Sequence, residues 1–264
     1  MRVTAGGARD VKFARGEIVE RRIPHPDAIT AEGLLGEHHL TLPSAGECRQ
    51  LLCLAGEAPV AHLPTLPHAQ YLVELGFASN IDEATWRGEP LKLIAVIDKS
   101  GCMAGESLAL VKRSLRGLIG NLRDGDQLSI VLYGDKSHIY LQPTRASAAT
   151  LPTLLSAVEG IQSAGSTNME RGLTVGYALA RKTKSEYEGI TRLALFTDER
   201  PNVGHTDEGS FIAMARAASA DGIGLTTIGV GVQFDSGLAT SLSSTRGGNL
   251  FFLDGPEPAD ALFT

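Results

Sequence analysis

The chain is poor in several kinds of residue. Its 264 residues include three cysteines, one tryptophan and four methionines, and aromatics make up 5%. Cys48, Cys53 and Cys102 are odd in number and contain no CxxC pair, so they read as small buried hydrophobes and no disulfide scaffold is expected. No apolar run reaches the ~18 residues that cross a bilayer, so no membrane span is expected. The opening MRVTAGGARDVKFARGE lacks an apolar signal core. That reads as a cytoplasmic chain, or as an extracytoplasmic one if a leader has been removed. The abrupt end, PADALFT, reads as a chain that continues. Positive charge is in deficit, with 24 Lys+Arg against 30 Asp+Glu and a net charge of −6. That balance argues against nucleic acid or an anionic membrane as the main partner.

Several motifs are also lacking. There is no GxxxxGK[ST] loop and no GxGxxG after the first buried strand, which leaves nucleotide binding unsupported. His38–His39 has no metal-ligand spacing such as HExxH, and Ser100 stands where a DxD nucleophile would need a second aspartate. GESLA (105–109) imitates a GxSxG elbow, but it opens a helix and does not continue a strand. Cys102 as a nucleophile needs a neighbouring base, and the sequence places no histidine beside it.

What is present is an ordinary globular balance, 43% hydrophobic and 20% charged, enough to bury a sizeable core. From residue 91 the pattern is regular. LKLIAVID (91–98) is a continuous apolar run, as in a strand buried on both faces, and TRLALFTD (191–198) repeats it. Further strands are expected at 127–134, 138–144 (a hairpin partner of its predecessor), 224–231 and 249–254. Helices are expected over 106–122, 147–160, 168–183, 208–221 and 235–245, with the start of a last helix beyond. Strands alternating with helices predict a Rossmann-like, doubly wound α/β sheet over 91–264. Residues 1–90 are proline-rich and read as a β-rich extension packed on that domain. They offer one clear strand, AQYLVELGFAS (69–79), and a short helix within 26–40. Tyr71, Val73, Leu75 and Phe77 alternate with other residues, so this strand is expected to bury one face. The two parts are expected to unfold together.

In an open parallel sheet, ligands bind outside the carboxyl ends of strands where the strand order reverses. Asp98 and Asp198 each end a buried strand, Ser100 lies two residues beyond Asp98, and SAGSTNM (163–169) brings small polar residues to the start of a helix. Two carboxylates with hydroxyls suit a small hard cation that keeps some of its waters. Ser166 and Asn168 read as supporting or capping groups.

Taken together, DKSGC, GSTNM and LFTDERPNVG resemble the von Willebrand factor A domain family. Asp98 and Ser100 match the first two places of that family's Asp-x-Ser-x-Ser metal-ion-dependent adhesion site, Thr167 its threonine and Asp198 its last aspartate. DKSG is similar to inter-alpha-trypsin inhibitor heavy chains; TDERPNVG and PDAITAEGLL are similar to bacterial proteins that carry this domain behind an N-terminal extension. The resemblance implies a mostly parallel sheet with one antiparallel edge. It also implies a divalent cation (Mg²⁺ or Mn²⁺) and capture of a protein partner whose acidic side chain completes the metal's coordination. Two positions depart from the pattern. Cys102 replaces the second serine, and a thiol is a poor partner for Mg²⁺. Glu199 replaces a glycine and adds a carboxylate. The expected function is therefore a non-enzymatic binding module. The alternatives are a hydrolase using the same ion and a scaffold whose metal site has decayed.

Overall fold

The computed structural model describes residues 15–23 except 17, 48–57, 73–81, 88–198, 207–231, 236–253, 255, 256 and 259. The chain divides into two compact units, residues 1–33 with 89–264, and residues 34–88.

The larger unit is built on a six-stranded sheet. Its strands are β3 (Leu91–Asp98), β4 (Gln127–Tyr133), β5 (His138–Arg145), β6 (Ile190–Thr197), β7 (Ile223–Val230) and β8 (Gly248–Leu253). The order across the sheet is β5-β4-β3-β6-β7-β8. All pairs are parallel except β4 with β5. The helices are α1 (Glu106–Asn121), α2 (Leu151–Glu159), α3 (Met169–Lys184), α4 (Glu208–Ala220) and α5 (Ser236–Ser243).

β3 forms because its residues bury on both faces. Leu93 to Ile97 are at most 3% exposed. Leu93, Ala95 and Ile97 pack with Val111, Leu115 and Ile119 of α1 and with Leu154 and Val158 of α2. Ile94 and Val96 pack with Leu173, Tyr177 and Ala180 of α3 and with Phe211 and Ala215 of α4. Each buried Leu, Ile, Val or Phe among them contributes about 1.5–3 kcal/mol. The turn before β4 is pinned by Asp126, whose buried carboxylate accepts from the backbone N–H of Leu91 (2.7 Å) and of Arg123 (2.8 Å). β4 leads outward to β5, whereas β6 lies on the other side of β3, so the strand order reverses between β3 and β6.

The smaller unit contains a two-stranded antiparallel hairpin, β1 (Cys53–Glu57) and β2 (Glu74–Ala78). The cysteines depart from the sequence expectation. Cys48 and Cys53 are joined by a disulfide, because the chain loops back over five residues to bring their Cα atoms within 5.8 Å. Cys102, in the larger unit, is exposed and outside the disulfide, and not a buried hydrophobe. Val73, Leu75 and Phe77 do alternate, and on the hairpin itself they are 64%, 58% and 59% exposed. Leu54, paired with Phe77 across the hairpin, is exposed as well. The residues expected to form a helix within 26–40, and Tyr71, lie outside the described residues.

Candidate metal site

The site is assembled where the sheet topology reverses. β3 and β6 are neighbours in register, with Ile97 opposite Phe196, so Asp98 and Asp198 leave the sheet side by side at its carboxyl edge. Neither is at the surface: Asp98 is 0% and Asp198 8% exposed. Ser100 and Thr167 are buried too. The loop bearing Thr167 is hydrogen-bonded to the loop bearing Ser100. The Gly101 N–H donates to the Gly165 carbonyl (2.9 Å), and the Ala164 N–H donates to the Lys99 carbonyl. Three chain segments thus carry Asp98, Ser100, Thr167 and Asp198 at the carboxyl edge of the sheet.

Asp98 is held by its surroundings. Its Oδ1 accepts from the Ser100 N–H (2.8 Å) and its Oδ2 from the Thr197 hydroxyl (3.3 Å). Burial raises its pKa above the ordinary carboxylate value, and these hydrogen bonds oppose that rise. Tyr133 ends β4 opposite Asp98 and is fully buried. Burial first, then the Asp98 carboxylate, pushes its phenol well above its usual range. Its ring fits because residue 172 of α3 is glycine: a Cβ there would lie 2.7 Å from the ring.

Cys102 follows on a short 3-10 turn, Gly101–Met103, and is exposed where the four oxygen donors are buried. Asn168 caps α3 by accepting from the Arg171 N–H (3.0 Å), in the supporting role read from sequence. Glu199 lies outside the described residues. Thr197, Tyr133 and Asp135 escaped the sequence reading. Thr197 and Tyr133 look like ordinary strand residues until strand pairing sets them beside Asp98. Asp135 looks like a turn residue until its partner, Ser166, is known. The Ser166 side chain and backbone hold the Asp135 carboxyl below its usual pKa.

The donor set fits a divalent cation. Among the described residues no three His, Cys, Asp or Glu side chains cluster as a closed cage. Two carboxylates and two hydroxyls are hard oxygen donors, the class that such a cation takes together with water.

The chain belongs to the von Willebrand factor type A domain family, whose model matches residues 92–260. It is 27% identical over 195 residues to protein sll0103 of Synechocystis sp., covering 73% of this chain and 44% of that one. It is 32% identical over 164 residues to YfbK of Escherichia coli, covering 61% and 28%. It is 28% identical over 163 residues to inter-alpha-trypsin inhibitor heavy chain H1 of Mesocricetus auratus, covering 59% and 18%. The chain therefore spans less than half the length of these relatives. Among solved structures, a von Willebrand factor type A protein from Catenulispora acidiphila superposes with a TM-score of 0.55 at 17% identity, covering 81% of this chain and 45% of that one. Manganese-loaded Plasmodium vivax TRAP protein gives 0.53 at 20% identity, covering 67% and 72%. Mussel byssus proximal thread matrix protein 1 with a zinc-occupied MIDAS motif gives 0.52 at 16% identity, covering 67% and 44%. These structural likenesses establish the fold: a mostly parallel sheet between helices with one antiparallel edge strand.

Proposed function

We propose that this domain captures a protein partner through a divalent cation held by Asp98, Ser100, Thr167 and Asp198, with Cys102 in the third place of the triplet. The observation that carries the reading is the burial of two carboxylates and two hydroxyls at the reversal between β3 and β6. Burying two carboxylates together is costly unless opposite charge is supplied. The family supports the reading, since its domains commonly mediate metal-dependent protein binding. So do two solved structures of this fold, one manganese-loaded and one with zinc in its site.

Ser100 and Thr167 would serve through their hydroxyls, and Asp98 and Asp198 through their carboxylates, in part by way of water. A bound ion supplies a Lewis-acidic position for a partner's carboxylate. The rest is the protein's work. Thr197 and the Ser100 N–H hold the Asp98 carboxylate in one orientation. The interlocked loops keep the hydroxyls in place without folding around the ligand. Cys102 shifts preference from Mg²⁺ toward Mn²⁺ or Zn²⁺, because a thiolate favours softer ions.

The Cys48–Cys53 disulfide supports an oxidising, extracytoplasmic setting for the chain.

Calorimetric titration with Mn²⁺ tests the function. Saturable binding to the wild-type chain, lost in Asp198→Ala, is expected. The loaded protein should then bind a glutamate-bearing peptide and release it in chelator. No binding of Mn²⁺ to the wild-type chain overturns the proposal.

A further inference from the structure

We propose that Asp135 is the positioning residue that sets the presentation of Thr167; this rests on the metal reading above. Asp135 lies just past β4, exposed and outside the set of donors. Its Oδ1 accepts two hydrogen bonds from one residue, the Ser166 N–H (2.8 Å) and the Ser166 hydroxyl (2.6 Å). Ser166 shares a peptide bond with Thr167. Holding both the backbone N–H and the side chain of Ser166 fixes the plane from which Thr167 departs, and so the direction in which its hydroxyl can point. A bond to a charged acceptor is roughly twice as strong as a neutral one, which suits it to hold a loop in place.

The surrounding backbone is shaped for this clamp. Gly165 has φ +93°, and a Cβ there would lie 2.5 Å from Asp135 Oδ2 and 2.8 Å from its Cγ. Gly134 faces the same loop from the other side: a Cβ on it would meet the Ala164 carbonyl at 3.2 Å and the Ser166 carbonyl at 3.3 Å. Two glycines therefore let the loops close until the carboxylate reaches Ser166. On its opposite flank the Thr167 loop is tied to the Asp98–Ser100 loop. The Gly101 N–H donates to the Gly165 carbonyl (2.9 Å), and the Lys99 ammonium donates to the Ala164 carbonyl (3.0 Å). The Lys99 N–H in turn donates to the Tyr133 carbonyl at the end of β4 (2.9 Å), next to Asp135. The three loops form a closed ring of contacts, and Asp135 is the carboxylate that completes it on the Thr167 side.

The test uses the full chain, Mn²⁺ calorimetry, and melting temperature in chelator. Asp135→Ala is expected to weaken Mn²⁺ binding about 10- to 100-fold, the usual effect of removing a group that orients a metal ligand. Its melting temperature in chelator should stay close to wild type, since the side chain is exposed. Asp135→Asn keeps an oxygen that accepts both Ser166 bonds and is expected to recover most of the affinity. Ser166→Ala keeps the backbone bond and loses the hydroxyl bond, so its affinity should fall between wild type and Asp135→Ala. Ser166→Ala also decides the matter if Asp135→Ala does not fold. Wild-type affinity in Asp135→Ala and Ser166→Ala, while Thr167→Ala does not bind, overturns this inference alone. So does a loss in Asp135→Ala that comes with an equal fall in chelator stability and no rescue by asparagine. No Mn²⁺ binding by the wild-type chain overturns the proposed function, and this inference with it.

Discussion

Lys92 and Asp98 lie near opposite ends of β3, both 0% exposed, and the fold treats them differently. Asp98 meets hydrogen-bond donors from β6 and from its own loop, with a second carboxylate beside it. Lys92 is flanked by Gln127 and Thr191 on the neighbouring strands. Its ammonium has no hydrogen-bond acceptor among the described residues and sits 5.6 Å from the centre of the Tyr187 ring. Burial lowers its pKa from 10.5, and Glu186 pulls it back in part. The same strand therefore carries a buried acid built into a network and a buried base stabilised by little besides a ring face. The difference indicates which end is arranged for a ligand. A network that orients a carboxylate suits an arriving cation, whereas an amine against a ring, with Glu186 as its charged neighbour, is a packing solution that another side chain could replace.

The comparison breaks first at the carboxyl end. Mn²⁺ is expected to raise the melting temperature of the wild-type chain, and Asp198→Ala is expected to abolish that rise. In chelator the same substitution should raise the melting temperature by a few degrees, on the order of 1 kcal/mol, because it relieves repulsion between neighbouring carboxylates. Scanning fluorimetry with and without metal reads both effects. A lower melting temperature in chelator would show Asp198 acting as a structural hydrogen-bonding group.

At the other end, Lys92→Met should stabilise the chain by about 1–3 kcal/mol at neutral pH, the scale of leaving a buried donor unsatisfied. Mn²⁺ affinity should not change. The pH dependence follows from the direction of the shift. With the folded-state pKa below 10.5, the unfolded chain binds more protons between the two values, so wild-type stability rises with pH there. The advantage of Lys92→Met should accordingly shrink as pH climbs toward 10.5. Urea denaturation of both proteins at pH 7 and pH 10 measures this, and a constant difference would mean that Lys92 is no more perturbed than a surface lysine.

The two ends were not equally legible in the sequence. LKLIAVID and TRLALFTD announce their aspartates by setting an acid at the close of an apolar run, and the spacing to Thr167 completes a recognisable order. Lys92 is hidden in the same pattern, because a single lysine near the start of a strand reads as a residue whose stem packs and whose head reaches water. Only strand pairing shows it sealed between Gln127 and Thr191. Asp135, Tyr133 and Thr197 were illegible for the same reason, since their partners lie 31 to 99 residues away. The helices of the larger unit were predicted to within a few residues, because a 3.6-residue apolar period is local information. The disulfide at the hairpin was hidden for a related reason, since it depends on a loop geometry that no CxxC spacing signals.

That hairpin sharpens the contrast from outside the sheet. A six-residue disulfide ring restricts the unfolded chain by about 2 kcal/mol in the loop-entropy account. Reduction with dithiothreitol should destabilise the hairpin on that scale and leave Mn²⁺ affinity unchanged. Thiol titration of the denatured, unreduced chain should count one free cysteine, Cys102, and three after reduction. Three before reduction would remove the disulfide. Fluorescence of Trp86 and far-UV circular dichroism should follow the same denaturation curve if residues 1–90 unfold with the main sheet. Two separated transitions would mark them as independent.

The smallest effect is expected at Cys102. It occupies the third place of the Asp98–Ser100 triplet, yet it is exposed where the other donors are buried. On the proposed metal reading, a soft donor at the margin of a hard-oxygen site is expected to contribute little to holding Mg²⁺ and more to holding softer ions. Cys102→Ser replaces it with a hydroxyl of similar reach. Mg²⁺ affinity should rise by less than about tenfold, under about 1.4 kcal/mol, and Zn²⁺ affinity should fall. The selectivity ratio is therefore the sensitive readout, since both changes move it the same way. Parallel titrations of the two ions decide the point. Equal or weaker Mg²⁺ affinity in the variant would place the sulfur outside the metal's coordination and leave Asp98, Ser100, Thr167 and Asp198 as the working donors.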